Sequence, residues 1–408
     1  MSNPQSNRRI LILVTHSIGE LDVVFPLLSR LDKGLRSEVE LVFVVKEIYR
    51  TFLKNRFYRH CVDRFNISVS FNHFPNKFDY KGTWLRNTLF GRVLFRFFSA
   101  IVEIKAACFL RRQLQHTVVL MHETTNQLSG SKQLQRAIDR WIGKRIVYHH
   151  GHSLNQLMRE RPTPYYGAAG ALYLIFTSSH QQWGEDKGYV NQLVIGFPKL
   201  YSEWIETMWA YSNSHFSPTQ DQFVLIYSRP ISDIYMDSDK YRSLFVDSYQ
   251  VTRQVFGDIP IVIKPHPREN ELEIEKVIRE EKLTHITICN EHAGILASNA
   301  KLTLSFWTSC IFDSLSLEVP TIEYYKEARR FRENEPMGSP YKVAGIDSAS
   351  SSEDLRHFMI TVKNGRYHLP EVLTEWKRES QFNEFGKILE DALAASAVQI
   401  PHKSLFGR

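Results

Sequence analysis

The feature that most constrains this chain is a series of short, unbroken apolar runs, each closed by a polar turn. Residues 10–14, 38–45, 117–121, 145–148, 172–176 and 190–195 supply six of them in the first 200 positions. Residues 223–227, 261–264, 286–289, 302–304 and 321–324 supply five more. They are rich in Val, Ile and Leu and do not alternate with polar residues, the pattern of strands covered on both faces in a parallel sheet. Helical periodicity separates several of them, as at Val23, Leu27, Leu28 and Leu31, over Tyr241 to Val255, and over Glu269 to Lys282. The chain therefore reads as βαβ units, the elements of Rossmann-like domains. No GxGxxG spacing follows the first run, so a bound dinucleotide is not indicated.

At 408 residues the chain exceeds one ordinary core and fits two domains. We expect an N-terminal domain over 1–200, a connection over 201–222, a second domain over 223–375, and a helix and tail over 376–408. The connection carries Trp204 and Trp209 and a run rich in Ser, Pro and Thr. Hydrophobic content of 43% excludes wholesale disorder, and a net charge of +7 suits an anionic partner. Cys61, Cys108, Cys289 and Cys310 show neither paired nor metal-type spacing, which suits a reducing compartment. No run approaches about 18 consecutive apolar residues, the length of a membrane span. A soluble, cytoplasmic protein is expected.

Residues 81–115 stand apart. Lys81, Arg86, Arg92, Arg96, Lys105, Arg111 and Arg112 interleave with aromatic and aliphatic side chains against the single acid Glu103. This composition predicts an amphipathic helix with a solvated basic face. The competing reading is peripheral contact with anionic lipid at the inner face of the plasma membrane. No nucleic-acid signature accompanies the segment, so nucleic acid is not an expected partner.

Open α/β sheets bind ligands beyond the carboxyl ends of their strands, and that is where polar residues gather here. In the first half the turns hold His122-Glu123-Thr124, His149-His150-Gly151-His152, Thr177-Ser178-Ser179-His180 and Gly196-Phe197-Pro198-Lys199. The histidines alone do not make a zinc site, because neither cysteines nor an HExxH helix supports them, and no metal is expected. In the second half a strand runs into Lys264-Pro265-His266-Pro267-Arg268. The two prolines stiffen the turn that carries His266, and Lys264 and Arg268 flank it as phosphate-binding cations. Another strand ends in Trp307-Thr308-Ser309 before a helix, whose free N–H groups and hydroxyls would form an anion pocket. Asp313, one turn on, and Glu323, after the next strand, are candidates for ribose hydroxyls. Ser228 and Arg229, ending the first strand of this half, are placed to reach the same phosphates.

Those residues carry a family resemblance. Lys264-Pro265-His266-Pro267 and Ser305-Phe306-Trp307-Thr308-Ser309 resemble the Lys-x-His-Pro and Ser/Thr motifs of one branch of the GT-B glycosyltransferases. That branch includes bacterial sialyltransferases, polysialyltransferases, capsule Kdo transferases and CDP-glycerol glycerophosphotransferases. Asp313-Ser314-Leu315-Ser316-Leu317-Glu318-Val319-Pro320 is similar to the Glu-Ala-Leu-Ala-x-Gly-x-Pro segment of GT-B donor domains, with Glu318 at the usual Gly. His150-Gly151 resembles the His-Gly turn of the glycerophosphotransferases.

The resemblance implies an α/β protein of GT-B type, two Rossmann-like domains facing each other across a cleft. It implies a metal-independent, inverting transfer of Kdo, sialic acid or a related sugar from a cytidine-activated donor to a surface polysaccharide or lipid-linked glycan. No cofactor is required; the CMP-linked sugar is a substrate. His266, Thr308 and Ser309 would hold the phosphate, and a base on the N-terminal domain would deprotonate the acceptor. Glu123 is the first candidate and His150 the second, with His152, Glu20 and His16 behind them. The alternatives are CDP-glycerol-type glycerophosphotransfer, a non-catalytic GT-B scaffold subunit, and a non-hydrolysing UDP-sugar 2-epimerase, which shares the fold. Against the epimerase, the chain has Trp307-Thr308-Ser309 in place of a Gly-rich serine turn.

Overall fold

A computed structural model describes residues 9–15, 17–72, 108–123, 143–149, 171–178, 191–215, 222–381 and 384–398, with isolated residues between 97 and 105, at 138 and 141, and at 181 and 185. The apolar runs form two parallel sheets. The first comprises β1 (Ile10–Val14), β2 (Val39–Phe43), β3 (Ser68–Phe71), β4 (Val119–Glu123), β5 (Lys144–Tyr148), β6 (Leu172–Ile175) and β7 (Gln192–Val194). Their spatial order is β3-β2-β1-β4-β5-β6-β7. The second comprises β8 (Phe223–Tyr227), β9 (Ile261–Lys264), β10 (Ile286–Ile288), β11 (Ala300–Ser305), β12 (Thr321–Tyr324) and β13 (Ser348–Ala349), in the order β10-β9-β8-β11-β12-β13. Among the described residues all the pairs of these strands are parallel. Each sheet reverses its strand order once, between β1 and β4 and between β8 and β11, and such reversals open a crevice at the strand ends.

The continuous apolar runs are explained by burial. β1, β4 and β8 are covered along their whole lengths. Helices that position the site are α1 (Leu21–Ser29), α2 (Lys46–Lys54), α3 (Arg56–Phe65), α4 (Ser202–His215), α5 (Ser238–Phe256), α6 (Glu271–Glu280), α7 (Ala293–Ala297) and α8 (Ile311–Ser316). The stretch expected as an interdomain connection is largely α4, whose Trp204, Met208 and Tyr211 are buried. Residues 331–342 contain one-turn helices at Phe331–Asn334 and from Pro340. Ser348 and Ala349 pair with β12 at the sheet edge, in a strand only two residues long and too short for a sequence periodicity to show.

After α9 (Ser352–Lys363) the chain crosses back. α10 (Val372–Glu379) and α11 (Glu384–Val398) close it. Ser380 Oγ accepts the Phe197 N–H at 2.8 Å, Phe197 and Trp376 rings lie 4.3 Å apart, and Glu379 accepts from the Ser178 N–H at 3.1 Å. Gly196, at φ +71, has Ser380 backbone where a Cβ would stand, so this approach requires glycine. Among the described residues no helix is long and apolar enough to cross a membrane. The basic segment 81–115 falls largely outside the described residues.

Candidate active site

A cavity of about 660 Å³ is lined by residues just beyond the carboxyl ends of β1, β8, β9 and β11. From the second half Lys264, His266 and Arg268 line it, with Arg229 and the run Trp307-Thr308-Ser309-Cys310. Ser17, Gly19, Asp22, Lys54, Asn55 and Tyr58 face them from the first half. The cavity therefore sits at both points of sheet reversal.

The turn after β9 is held by Glu269. Its carboxylate accepts the His266 N–H at 2.9 Å, the Tyr241 hydroxyl at 2.8 Å and the Ser228 hydroxyl, while its own N–H donates to the His266 carbonyl at 2.8 Å. Burial raises the Glu269 pKa against these donors. His266 Nδ1 accepts the Arg268 N–H at 3.1 Å, so Nε2 carries the proton. Burial first, then Arg268, Arg229 and Lys264, lower its pKa to about 3. His266 is thus a neutral N–H donor among cations.

The turn after β11 has an unusual backbone. Trp307 is buried and adopts φ +58, a left-handed conformation that costs a side-chain-bearing residue about 1–2 kcal/mol. Its ring stacks on Tyr235 at 4.6 Å between centroids and lies 4.0 Å beneath the Arg229 guanidinium. Arg229 Nη1 donates to the Trp307 carbonyl at 2.6 Å, and burial lowers the Arg229 pKa to about 10. Ser305 Oγ accepts the Thr308 N–H at 3.3 Å and closes the turn. The buried Trp307 Nε1 has no hydrogen-bond partner among the described residues. α8 itself is six residues long. A helix that short adds little dipole, so anion binding rests on the cations, the His266 N–H and the hydroxyls.

The two halves meet in a buried charge network. Lys199 Nζ donates to Asp313 Oδ2 at 2.5 Å and lies 3.5 Å from Asp22 Oδ2. Asp22 Oδ1 accepts the Tyr58 hydroxyl at 2.6 Å and stands 3.4 Å from His292 Nε2. His292 Nδ1 accepts the Gly294 N–H at 3.1 Å and caps α7, which assigns the proton to Nε2. Burial opposes the charge on Asp22, but Lys199, His292 and Tyr58 hold its carboxyl well below the usual range. Asp22 and Asp313 likewise hold Lys199 above its ordinary value despite burial. Burial raises Asp313, and Asp22 adds to the effect against Lys199.

Of the residues expected at this site, Arg229, Lys264, His266, Thr308 and Ser309 line one cavity. Three expectations need correction. Ser228 turns away to Glu269. Asp313 is fully buried against Lys199 rather than open to a ribose. Glu323 is also fully buried, accepting the Ser339 hydroxyl at 2.6 Å and the Ser348 hydroxyl at 3.1 Å. Burial raises its pKa to about 7. In the first half the buried Glu20 carboxylate accepts the Thr15 and Ser17 N–H groups and the Tyr148 hydroxyl and does not line the cavity. Glu123 is buried at the end of β4 and does not line the cavity. His16, His150 and His152 lie outside the described residues, and among the described ones no His, Cys, Asp and Glu side chains group as a metal site. Asp22, Tyr58, Glu269, His292 and Lys199 were not anticipated. Only Glu269, three residues past His266 in a proline-stiffened turn, had a local signal.

Solved structures share this architecture over nearly their whole lengths. UDP-N-acetylglucosamine 2-epimerase from Rickettsia bellii aligns at TM-score 0.56 and 12% identity, covering 96% of each chain. The UDP-GlcNAc 2-epimerase from Neisseria meningitidis bound to UDP-GlcNAc aligns at 0.52 and 10%, covering 95% of this chain and 100% of that one. Glycyrrhiza uralensis UGT73P12 complexed with glycyrrhetinic acid 3-O-monoglucuronide aligns at 0.55 and 11%, covering 96% and 97%. The fold is GT-B. No protein-family profile and no curated protein sequence matches the chain. In GT-B terms the cavity is the interdomain cleft, and the Lys264–Arg268 and Trp307–Cys310 turns form its C-terminal wall.

Proposed function

We propose that this chain is a GT-B enzyme acting on a nucleoside-diphosphate sugar, and that it is a non-hydrolysing UDP-sugar 2-epimerase. The observation that carries the proposal is the clustering of Arg229, Lys264, Arg268 and the neutral His266 on one wall of the interdomain cavity. Three cations and an N–H donor suit a diphosphate, whose negative charge grows as its bond to the sugar breaks. Uridine replaces cytidine as the first candidate nucleotide because solved structures similar to this chain are UDP-GlcNAc 2-epimerases, one of them bound to UDP-GlcNAc. The φ of +58 at Trp307 supports this reading, because it is a backbone conformation that a glycine in such a turn would adopt.

In this reading the C1–O bond to the diphosphate breaks, and its electron pair leaves with the nucleotide. A base takes the C2 proton, and a proton returns to the other face before the C1–O bond re-forms. Lys264, Arg229 and Arg268 offset the leaving charge, and His266 Nε2–H donates to a phosphate oxygen. Asp22 is too well stabilised as an anion to be a strong base. Glu123 does not line the cavity, so the proton acceptor is sought at His150 and His152, which follow β5 in the sequence.

Incubation with UDP-GlcNAc in D2O tests this. We expect the C2 epimer with deuterium at C2, seen by proton NMR. No exchange at C2 and no thermal shift with UDP would overturn it. The second reading is glycosyl transfer from a cytidine-activated donor, which the Lys264-Pro265-His266-Pro267 motif favours. A thermal shift with CMP or CDP and none with UDP would select it.

A further inference from the structure

A second cavity, of about 510 Å³, lies on the outer side of α2 and α3 and within the range of roughly 300–1,000 Å³ typical of small-molecule sites. Its apolar wall is Phe52, Val62 and Val69, with Tyr49 and Tyr211 adding aromatic faces. Arg56 and Arg59 stand exposed at its rim, and neither guanidinium makes a hydrogen bond or ion pair among the described residues. His60 also lines it; its ring lies 5.0 Å from that of Tyr211, and its Nε2 is closed to solvent without a hydrogen-bond partner among the described residues. Asp63 is the single acid in the lining. Two guanidinium groups beside aromatic walls match a ligand with an aromatic body and a negative head, because cations hold the head and stack on the ring.

The location gives such a ligand a consequence. α2 and α3 meet at Asn55, which is extended (φ −83, ψ 111) and caps α3 by accepting the Tyr58 N–H at 3.0 Å. The same two helices send Thr51, Lys54, Asn55 and Tyr58 into the interdomain cleft. One thin hairpin thus separates the two cavities, with Arg56 beside Asn55 and Arg59 beside Tyr58. A ligand that shifts the outer face of α3 moves Tyr58, and Tyr58 donates to Asp22.

We propose that the outer cavity is a second ligand site, taking a small aromatic anion such as an aryl phosphate, and that α2 and α3 transmit its occupancy to the cleft. The transmission half rests on the cleft being the nucleotide site; the binding half does not. The full-length protein would be titrated with 1-naphthyl phosphate, inorganic phosphate and 1-naphthol by calorimetry. Binding of the first, weakened at least about tenfold when either its ring or its charge is missing, is expected. Arg56→Gln/Arg59→Gln should weaken it by a similar factor, whereas His266→Ala should leave it unchanged. Circular dichroism confirms that each variant is folded. No binding of 1-naphthyl phosphate, or binding lost in His266→Ala, would overturn the site. UDP affinity measured with and without saturating 1-naphthyl phosphate reads the transmission, and a change of about fivefold is expected in the wild type and none in the double arginine variant. If UDP itself fails to bind, the nucleotide reading fails separately, and hydrogen exchange over 51–58 reads the transmission instead. No change there on adding 1-naphthyl phosphate would overturn it.

Discussion

Lys199 donates to Asp313 across 2.5 Å, in a place where neither side chain meets solvent. Asp22 shares the same ammonium from the other half of the molecule. One cation thus neutralises a carboxylate from each half at the floor of the cleft. Removing the cation would leave the buried Asp313 carboxylate without its counter-charge and Asp22 with only Tyr58 and His292, and we expect Lys199→Met to destabilise the protein by about 3–5 kcal/mol. Urea denaturation measures this; a loss under about 1 kcal/mol would show that the pair is dispensable.

Glu318 occupies φ +60, where glycine is favoured, at the position that holds Gly in the GT-B segment it resembles. Its carboxylate pairs with Lys377, but both side chains are substantially exposed and such pairs contribute little. Relief of the left-handed strain outweighs the added freedom of the unfolded chain, so Glu318→Gly should stabilise by about 0.5–1 kcal/mol. A higher thermal midpoint with unchanged secondary structure would confirm it, and a lower one would refute it.

Glu323 gives stability a pH dependence. Its folded pKa, raised by burial to about 7, exceeds the ordinary 4.5, so the folded state binds the proton more tightly than the unfolded chain. The contribution is fully present below about pH 4.5 and is lost as pH rises through 7. About 2.5 pKa units correspond to about 3 kcal/mol. Glu323→Gln should therefore gain stability at pH 8 relative to the wild type and change little at pH 4. Equal effects at both values would contradict the burial argument.

His266 should not titrate between pH 5 and 8 in the free protein, given a pKa lowered to about 3 by burial and its cationic neighbours. Nitrogen NMR of the labelled imidazole would show a constant Nε2–H tautomer. An imidazolium signal at pH 6 would sink the neutral-donor assignment.

Glu269, itself at the cavity wall, holds the backbone of the turn that carries that imidazole. Replacing it by Ala removes the acceptor of the His266 N–H and of two hydroxyls. UDP affinity should fall roughly tenfold while the circular dichroism spectrum is kept, since a loosened turn loses preorganisation. An unchanged affinity would mean that the prolines alone fix the turn.

Much of this architecture is legible in the amino-acid sequence, and the limits are physical. Ile10–Val14 and Phe223–Tyr227 announce themselves because strands covered on both faces must be continuously apolar. The Lys264–Arg268 turn is visible because the prolines and its charges are local. Asp22 and Lys199 are not, because their partnership spans 177 positions and nothing near either residue signals it. Asp313 misleads for the same reason: its helical spacing from Ser309 is real, but Lys199 takes its carboxylate. Glu323 and Ser228 fail similarly, because which face of a strand end turns inward depends on neighbours that only the assembled sheet provides.

The return of the chain after α9 has a further consequence for how the molecule can be divided. Ser380 clasps the backbone of Phe197, and α11 buries Phe385, Leu389 and Leu393. The last helices are therefore structural parts of the first half although they are synthesised last. A ribosome that has finished the first sheet has not finished its cover, and a fragment ending before Val372 would emerge with Phe197 bared. Neither half is a module that can be lifted out intact by cutting the sequence once.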